Sequence, residues 1–444
     1  MKKIFQKALQ DKDFSELLKG SGISFFLRFG GLIIGYLLAL IIAHLFGAEG
    51  LGEYVLAIII LRIFTLIAKA GLDTTSTRFI ASYASQNKWE SIFNFRKKVI
   101  SVLSFTSILV SVLMYFLAIP IAELIHTNYR YIQLNAFFVL PMAFFMVNYE
   151  SLRGLKRIAE FSFFYRVSQG LFSIITILIL YQFFNSEDIP VYAYLISVLI
   201  VSVLSFLSFI FWLKKKSEGK DQAVSEVRSY SNLLKISIPL MFAQSVQFIM
   251  SWTDKIMLGS MSSLEEVGIY HTAFKLSMFA AVALMSINSI ASPKFAEMFS
   301  KNDMIGLERV VRQSTKMIFW TSMPLVIIFF VFPEFLLGMF GEEFKVGVTA
   351  FIFLSCGKLF SSFSGSVGNI LQMTGNQNVL AKILLFAAIL NIALNLYLIP
   401  IHGINGAALA SMISIIVWNS GMILAVKKNL GFYTFYIPFV NHEK

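Results

Sequence analysis

The stretch LGEYVLAIIILRIFTLIAKAGLDTTSTRFI, residues 51–80, decides what kind of protein this is. Its first 22 residues are long and apolar enough to cross a bilayer, which takes about 20 such residues as a helix. Arg62 stands in the middle of that segment, and Lys69, seven residues on, falls on the same helical face. A charge at bilayer depth costs about 3 kcal/mol or more, so such residues face a bundle interior or a watered cavity. The segment predicts a helix that lines something polar inside an apolar protein.

Composition agrees with that reading. Of 444 residues, 57% are hydrophobic and 14% charged, and the mean hydropathy is +0.74. Soluble domains carry about 25% charged residues, so the chain reads as an all-α polytopic membrane protein. No spanning segment is followed by a long polar stretch, which leaves no room for a sizeable soluble domain. The net charge of +12 follows from the positive-inside rule and does not call for nucleic acid as a partner. Cys356 is the single cysteine, so disulfides and cysteine-metal sites are excluded. The five histidines include no metal-spaced pair, and GAEGLG at 47–52 lacks phosphate-loop spacing and reads as a tight turn. No catalytic signature, metal or cofactor is expected.

Twelve apolar segments are long enough to span: 21–46, 51–72, 99–121, 130–150, 159–184, 189–213, 233–258, 266–290, 315–340, 346–372, 378–399 and 404–426. On this division the loops on one side, counted with Lys235, Lys316 and Lys382 at the adjoining span ends, hold 28 Lys and Arg residues, and those on the other hold two, Arg130 and Lys345. Missing one helix would scramble that bias. The pattern predicts a multi-pass protein of the cytoplasmic membrane with both termini in the cytoplasm. Residues 1–20 read as a basic amphipathic lead-in without a cleavage site. They are followed by a six-helix bundle over 21–213, a cytoplasmic linker at 214–232, a second six-helix bundle over 233–426 and a cytoplasmic tail at 427–444.

The two halves are related. A shift of 216 residues, without gaps, places Leu17, Leu18, Lys19 and Ser21 on Leu233, Leu234, Lys235 and Ser237. The same shift places Glu49, Gly52, Tyr54 and Ala57 on Glu265, Gly268, Tyr270 and Ala273, and Arg96 on Arg312. Apolar composition alone would not align Glu, Gly, Tyr and Arg in one register. Because each repeat has six helices, both halves enter from the same side, as parallel repeats of the kind transporters use for alternating access. Pro141, Pro239 and Pro324 lie within or near spans, where each removes a backbone hydrogen bond and can kink the helix.

Apart from the span-end residues counted with the loops, the basic residues inside spans are Arg28, Arg62, Lys69, Arg166, Lys255, Lys275 and Lys358, against Asp254 and, near a helix end, Glu150. Lys275 overlies Ile59 under the shift, nearly one turn from Arg62, so the repeats point cations at similar faces. If the halves pack face to face, Arg62 and Lys275 line one central cleft. Arg62, Lys275, Lys358, Arg28, Lys69 and Arg166 are the candidate substrate-binding residues. Lys69 and Lys255 lie near span ends, where snorkelling is the competing explanation. Asp254, beside Lys255, reads as structural.

With these features in place, the chain resembles the Wzx-type polysaccharide flippases of the multidrug/oligosaccharidyl-lipid/polysaccharide exporter superfamily. The resemblance rests on FGAEGLGEY (46–54), GLDTTSTRFIASY (71–83), VGIYHTAFKLS (267–277) and NLYLIPIHGINGAALASMIS (395–414). It implies a MATE-like fold of two six-helix repeats. It also implies translocation of a polyprenyl-diphosphate-linked oligosaccharide to the outer leaflet, with polysaccharide assembly proteins as further partners. Drug-exporting members use acidic cavity residues, whereas the cavity residues here are mainly basic. The lipid II flippase branch has two further helices, and none is found here. The alternatives are a multidrug cation antiporter, a membrane polymerase or glycosyltransferase acting on the same lipid-linked sugars, and a non-transporting scaffold.

Overall fold

The computed structural model describes residues 12–218 and 230–436, with side chains from residue 26 onward except at 243, 246, 247 and 250. Parts of the lead-in, the linker and the tail expected from sequence thus lie outside the described residues. Among the described residues the chain is helical nearly throughout and contains no strand. Eight helices are long and apolar enough to cross a membrane, or nine if the bent pair Tyr129–Ala136 and Val139–Gly154 makes one span.

All twelve apolar segments fall on helix, but several boundaries move. The runs Lys12–Ala68 and Gln377–Leu430 each hold two segments, divided at Gly47 (φ 70°) and Gly403 (φ 53°). Both torsions lie in the left-handed region, which glycine enters without a Cβ penalty. The segment placed at 51–72 closes early, at Ala68, and Ala70 (φ 46°) and Gly71 (φ 75°) turn the chain into a new helix, Leu72–Ser85. Arg62 therefore lies in the last two turns of its helix, not at the middle. The segment placed at 315–340 is the helix Met304–Val331, which Asp303 caps by accepting from the Gly306 amide at 2.8 Å. It stops before Pro333 because the residue preceding a proline disfavours helical geometry. The 54° bend before Val139–Gly154 lies just ahead of Pro141, whose missing N–H cannot bond back across the break.

The chain forms two compact units. One comprises Glu53–Phe248 with the chain up to Ile42; the other comprises the chain from Ile249 with Ala43–Gly52. In the first unit Val139–Gly154 is the central helix, packed against Leu72–Ser85, Trp89–Phe116 and Ile189–Ser217. Arg96, only 4% exposed, ties three of these together. Its guanidinium donates to Ser151 Oγ at 3.2 Å and to Asn148 Oδ1, and it lies 4.7 Å from the centre of the Phe209 ring. The sequence had placed Arg96 among loop cations, but in the structure it is an internal clamp.

In the second unit Val348–Ser364 packs on Gln377–Leu430, Met304–Val331 and Leu264–Ser277. A core of Phe295, Leu307, Val311, Ile370, Leu371 and Val426 closes one end. The 216-residue repeat is visible here as a physical contact. A Cβ on Gly52 would strike the Leu264 carbonyl, and a Cβ on Gly268 would strike the Ala48 carbonyl. Gly52 and Gly268 correspond under the shift, as do Ala48 and Leu264. The same contact made twice with partners exchanged is the mark of a local two-fold axis.

Candidate cationic sites in the two units

Arg62 sits half-buried on the helix that ends at Ala68. Its Nε donates to the Tyr194 hydroxyl at 3.5 Å, the outer limit for such a bond. Tyr194 meets Tyr54 edge-on, with centroids 5.9 Å apart, and Tyr54 and Tyr149 are further neighbours of the Arg62 charge. The guanidinium thus stands among phenol rings.

Lys69 is differently placed. It is 7% exposed, and its Nζ lies 2.5 Å from Asp73 Oδ2 and 2.5 Å from Gln244 Oε1. Gln244 completes the cluster by donating to Thr74 Oγ1 at 2.6 Å. The break after Ala68 creates this geometry. It puts Asp73 in the first turn of a new helix, where the macrodipole favours an acid, and brings the backbone at Gly71 against Ser237, whose carbonyl carbon lies 2.9 Å from where a Cβ would stand. The Lys69 charge is answered inside the protein.

Arg28 and Arg166 come together. Gly31, one turn after Arg28, packs on the backbone of Arg166, and a Cβ there would lie 2.6 Å from the Arg166 carbonyl oxygen. Arg166 is carried on a π-helical turn, Phe164–Ser168, and its guanidinium lies 4.9 Å from the Tyr165 ring centre. Its Nε and the Gln169 Nε2 are buried donors without a hydrogen-bond partner. A buried polar group left unsatisfied costs about 1–3 kcal/mol.

Lys275 lies half-buried in the last turn of Leu264–Ser277, and Lys358 half-buried on Val348–Ser364 with its Nζ 5.5 Å from the Phe274 ring. Arg62 and Lys275 belong to different units. Two residues that sequence reasoning set aside are central to the second unit. Lys255, 2% exposed, holds its ammonium 4.0 Å from the Phe274 ring and 4.7 Å from that of Trp252. Asp254 accepts from the Tyr270 hydroxyl and Asn395 Nδ2, each at 2.7 Å, and from the Ser411 hydroxyl. Asn395 also donates to Asn391 Oδ1 at 3.1 Å. The available signal was the i, i+4 pair of asparagines, 391 and 395, in an otherwise apolar segment. Among the described residues no cluster of three or more His, Cys, Asp or Glu could hold a metal ion.

A family model described as polysaccharide biosynthesis protein matches residues 17–299, more than half of the chain. The chain belongs to the polysaccharide biosynthesis protein family. A second model, MatE, matches residues 239–397 of this family member, so the resemblance read from the quoted motifs holds. Among its relatives are a probable low-salt glycan biosynthesis flippase, Agl15, of Haloferax volcanii and the capsular polysaccharide biosynthesis protein CapF of Staphylococcus aureus. The first is 26% identical over 44% of this chain and 41% of its own, the second 24% identical over 56% of this chain and 63% of its own. In both cases the match covers less than two thirds of the relative. The family member's fold is that of two solved structures. The lipid II flippase MurJ in an inward closed conformation aligns with a TM-score of 0.71 at 18% identity, over 92% of this chain and 87% of that one. An inward-facing multidrug resistance MATE transporter aligns with a TM-score of 0.69 at 15% identity, over 89% and 94%. The MATE-like all-helical membrane fold expected from sequence is therefore correct.

Proposed function

We propose that this chain is a flippase that moves a polyprenyl-diphosphate-linked oligosaccharide from the cytoplasmic to the outer leaflet for surface polysaccharide assembly. One observation carries the reading: Arg62, a charged side chain on a membrane helix, is set among tyrosines and hydrogen-bonds to a neutral hydroxyl. An ionisable residue inside a membrane-spanning segment is costly to keep and marks a candidate functional site. A guanidinium offers bidentate contacts to phosphate oxygens, and lysines such as Lys275 and Lys358 act as point charges. The family membership and the flippase names of relatives support the same substrate class.

In this reading the chain crosses the cytoplasmic membrane twelve times with both ends inside. The two six-helix repeats rock to open a cationic cavity to each face in turn. The sugars travel in the hydrated cavity while the lipid tail stays in the bilayer. A negative-inside potential favours outward movement of an anion by about 2.3 kcal/mol per charge per 100 mV, so no nucleotide is required. A multidrug cation antiporter would share the fold, but a mainly basic lining disfavours cationic cargo. The test is replacement of Arg62 and Lys275 by Ala in cells, with membrane expression matched. The proposal expects loss of lipid-linked glycan at the outer leaflet, and delivery at the normal rate would overturn the cationic-cavity mechanism.

A further inference from the structure

We infer that the lysine-bearing end of the helix Ile189–Ser217, together with the turn at 155–157, is a binding site for an anionic phospholipid of the surrounding bilayer. None of its residues is among the candidate substrate-binding residues, and the site does not depend on the cargo.

Two segments distant in sequence build it. Lys216 Nζ donates to the Leu155 carbonyl at 2.6 Å, and the Arg157 guanidinium lies 3.3 Å from the centre of the Trp212 ring. These contacts hold the turn against the last turns of the helix. Lys215 keeps its ammonium 5.2 Å from the same indole and 5.8 Å from the Phe211 ring. Arg157 and Lys215 thus share one aromatic ring. The positive-inside reading assigns both segments to the cytoplasmic side.

Carboxylates answer only part of this charge. Glu150 pairs with Arg153 at 3.3 Å and Glu160 with Arg157 at 2.5 Å, while Glu218 is exposed at the C-cap of the helix. Lys156, Lys214 and Lys215 are exposed, and among the described residues none of the three makes an ion pair.

The apolar side of the site lies on the same helix, which is long and apolar enough to span. Leu199, Val203, Leu207 and Phe211 are exposed. They recur every fourth residue and so stand along one face, and the next place in that row is Lys215. On a spanning helix an exposed apolar face meets acyl chains, and a lysine beyond it reaches the headgroups. Trp212 sits where the row turns from apolar to cationic, the depth that tryptophan favours at a membrane surface.

An apolar row leading into lysines without carboxylate partners matches a lipid that carries both an acyl chain and a negative phosphate. A zwitterionic phospholipid brings no net charge, and an acidic protein segment would leave the row unused. Basic pockets beside membrane helices on the cytoplasmic side hold anionic headgroups by the same balance of forces. Here an acyl chain lies along Leu199 to Phe211, and the phosphate meets Lys215 and Lys156, each acting as a point charge.

The test reads Trp212 directly. The purified full-length protein is placed in phosphatidylcholine liposomes containing a rising fraction of dibrominated phosphatidylglycerol or dibrominated phosphatidylcholine. Bromine quenches nearby indoles, and the Trp212 signal is the difference between the wild type and Trp212→Phe. Phosphatidylglycerol should displace phosphatidylcholine at Trp212 with a relative affinity of about fivefold or more, the effect of one lysine near the surface. The double variant K156Q/K215Q should bring the two lipids to about equal affinity at an unchanged unfolding midpoint, and K156R/K215R should keep the preference. Equal quenching of Trp212 by the two lipids in the wild type overturns the site. So does an undiminished preference in K156Q/K215Q. A preference of the same size at the tryptophans that remain in Trp212→Phe overturns it too, because anionic lipid would then be enriched all around the protein.

Discussion

The ion pair of Lys69 and Asp73 offers a test in which the structure fixes sign and size. The two side chains are 9% and 7% exposed and meet at 2.5 Å. Lys69→Met leaves the Asp73 carboxylate buried without its cation, which costs about 3–5 kcal/mol. Asp73→Leu leaves the ammonium with only Gln244 Oε1 and should cost about as much. The double variant K69M/D73L replaces the pair by apolar groups of similar length. Its ion-pair term is then close to neutral, and the remaining loss is the orphaned Gln244 carbonyl, about 1 kcal/mol. The double variant should therefore be more stable than either single variant, with a coupling of several kcal/mol. The assay is the denaturant or thermal unfolding midpoint of the purified full-length protein in detergent, read for all four corners of the cycle. If Lys69→Met alone costs less than about 0.5 kcal/mol, or if the two single losses simply add, the internal ion pair is not what holds Lys69. The same cycle tests the role expected from sequence, since a lysine reserved for substrate would lower transport on replacement and leave stability unchanged.

Two further outcomes follow from the geometry. Gly268→Ala should destabilise the second unit by about 1–3 kcal/mol, because the new Cβ meets the backbone at Ala48 and Gly52, and overpacking of this kind cannot relax through a side chain; thermal unfolding checks it, and Gly52→Ala should behave alike as its repeat-related counterpart. Arg96→Ala should cost about 3 kcal/mol or more by leaving Asn148 Oδ1 and Ser151 Oγ without their donor beside Phe209, with the loss read in the unfolding midpoint and in the yield of folded protein.

The parts of the structure legible in sequence were those that depend on local pattern. Apolar runs marked the long helices but not Leu72–Ser85, the gaps left at 47–50 and 400–403 hold the breaks at Gly47 and Gly403 within the two longest helical runs, and the 216-residue shift had paired Gly52 with Gly268, which make matching contacts. The intramembrane cations were legible too, because each is a costly exception in an apolar run. What each cation meets was not legible, since partners are set by packing between distant segments. Lys69 is answered by Gln244, 175 positions away, and Asp254 draws on residues at 270, 395 and 411. The early end of the helix at Ala68 was hidden because Lys69, Ala70 and Gly71 are compatible with helix composition until Gly71 meets the backbone of Ser237. The π-turn under Arg166 has no sequence signal of its own, and nothing in the spacing of Arg28 and Arg166 placed them side by side.

The central proposal is tested most directly by translocation in a defined membrane. The purified full-length protein is reconstituted into liposomes holding a fluorescent polyprenyl-diphosphate-linked oligosaccharide in one leaflet, and its appearance in the other is followed by quenching from outside. The account predicts movement that depends on the protein and falls about tenfold or more in Arg62→Ala at an unchanged unfolding midpoint. Transport by Arg62→Ala at the wild-type rate, or no movement above protein-free liposomes by the wild type, would contradict it.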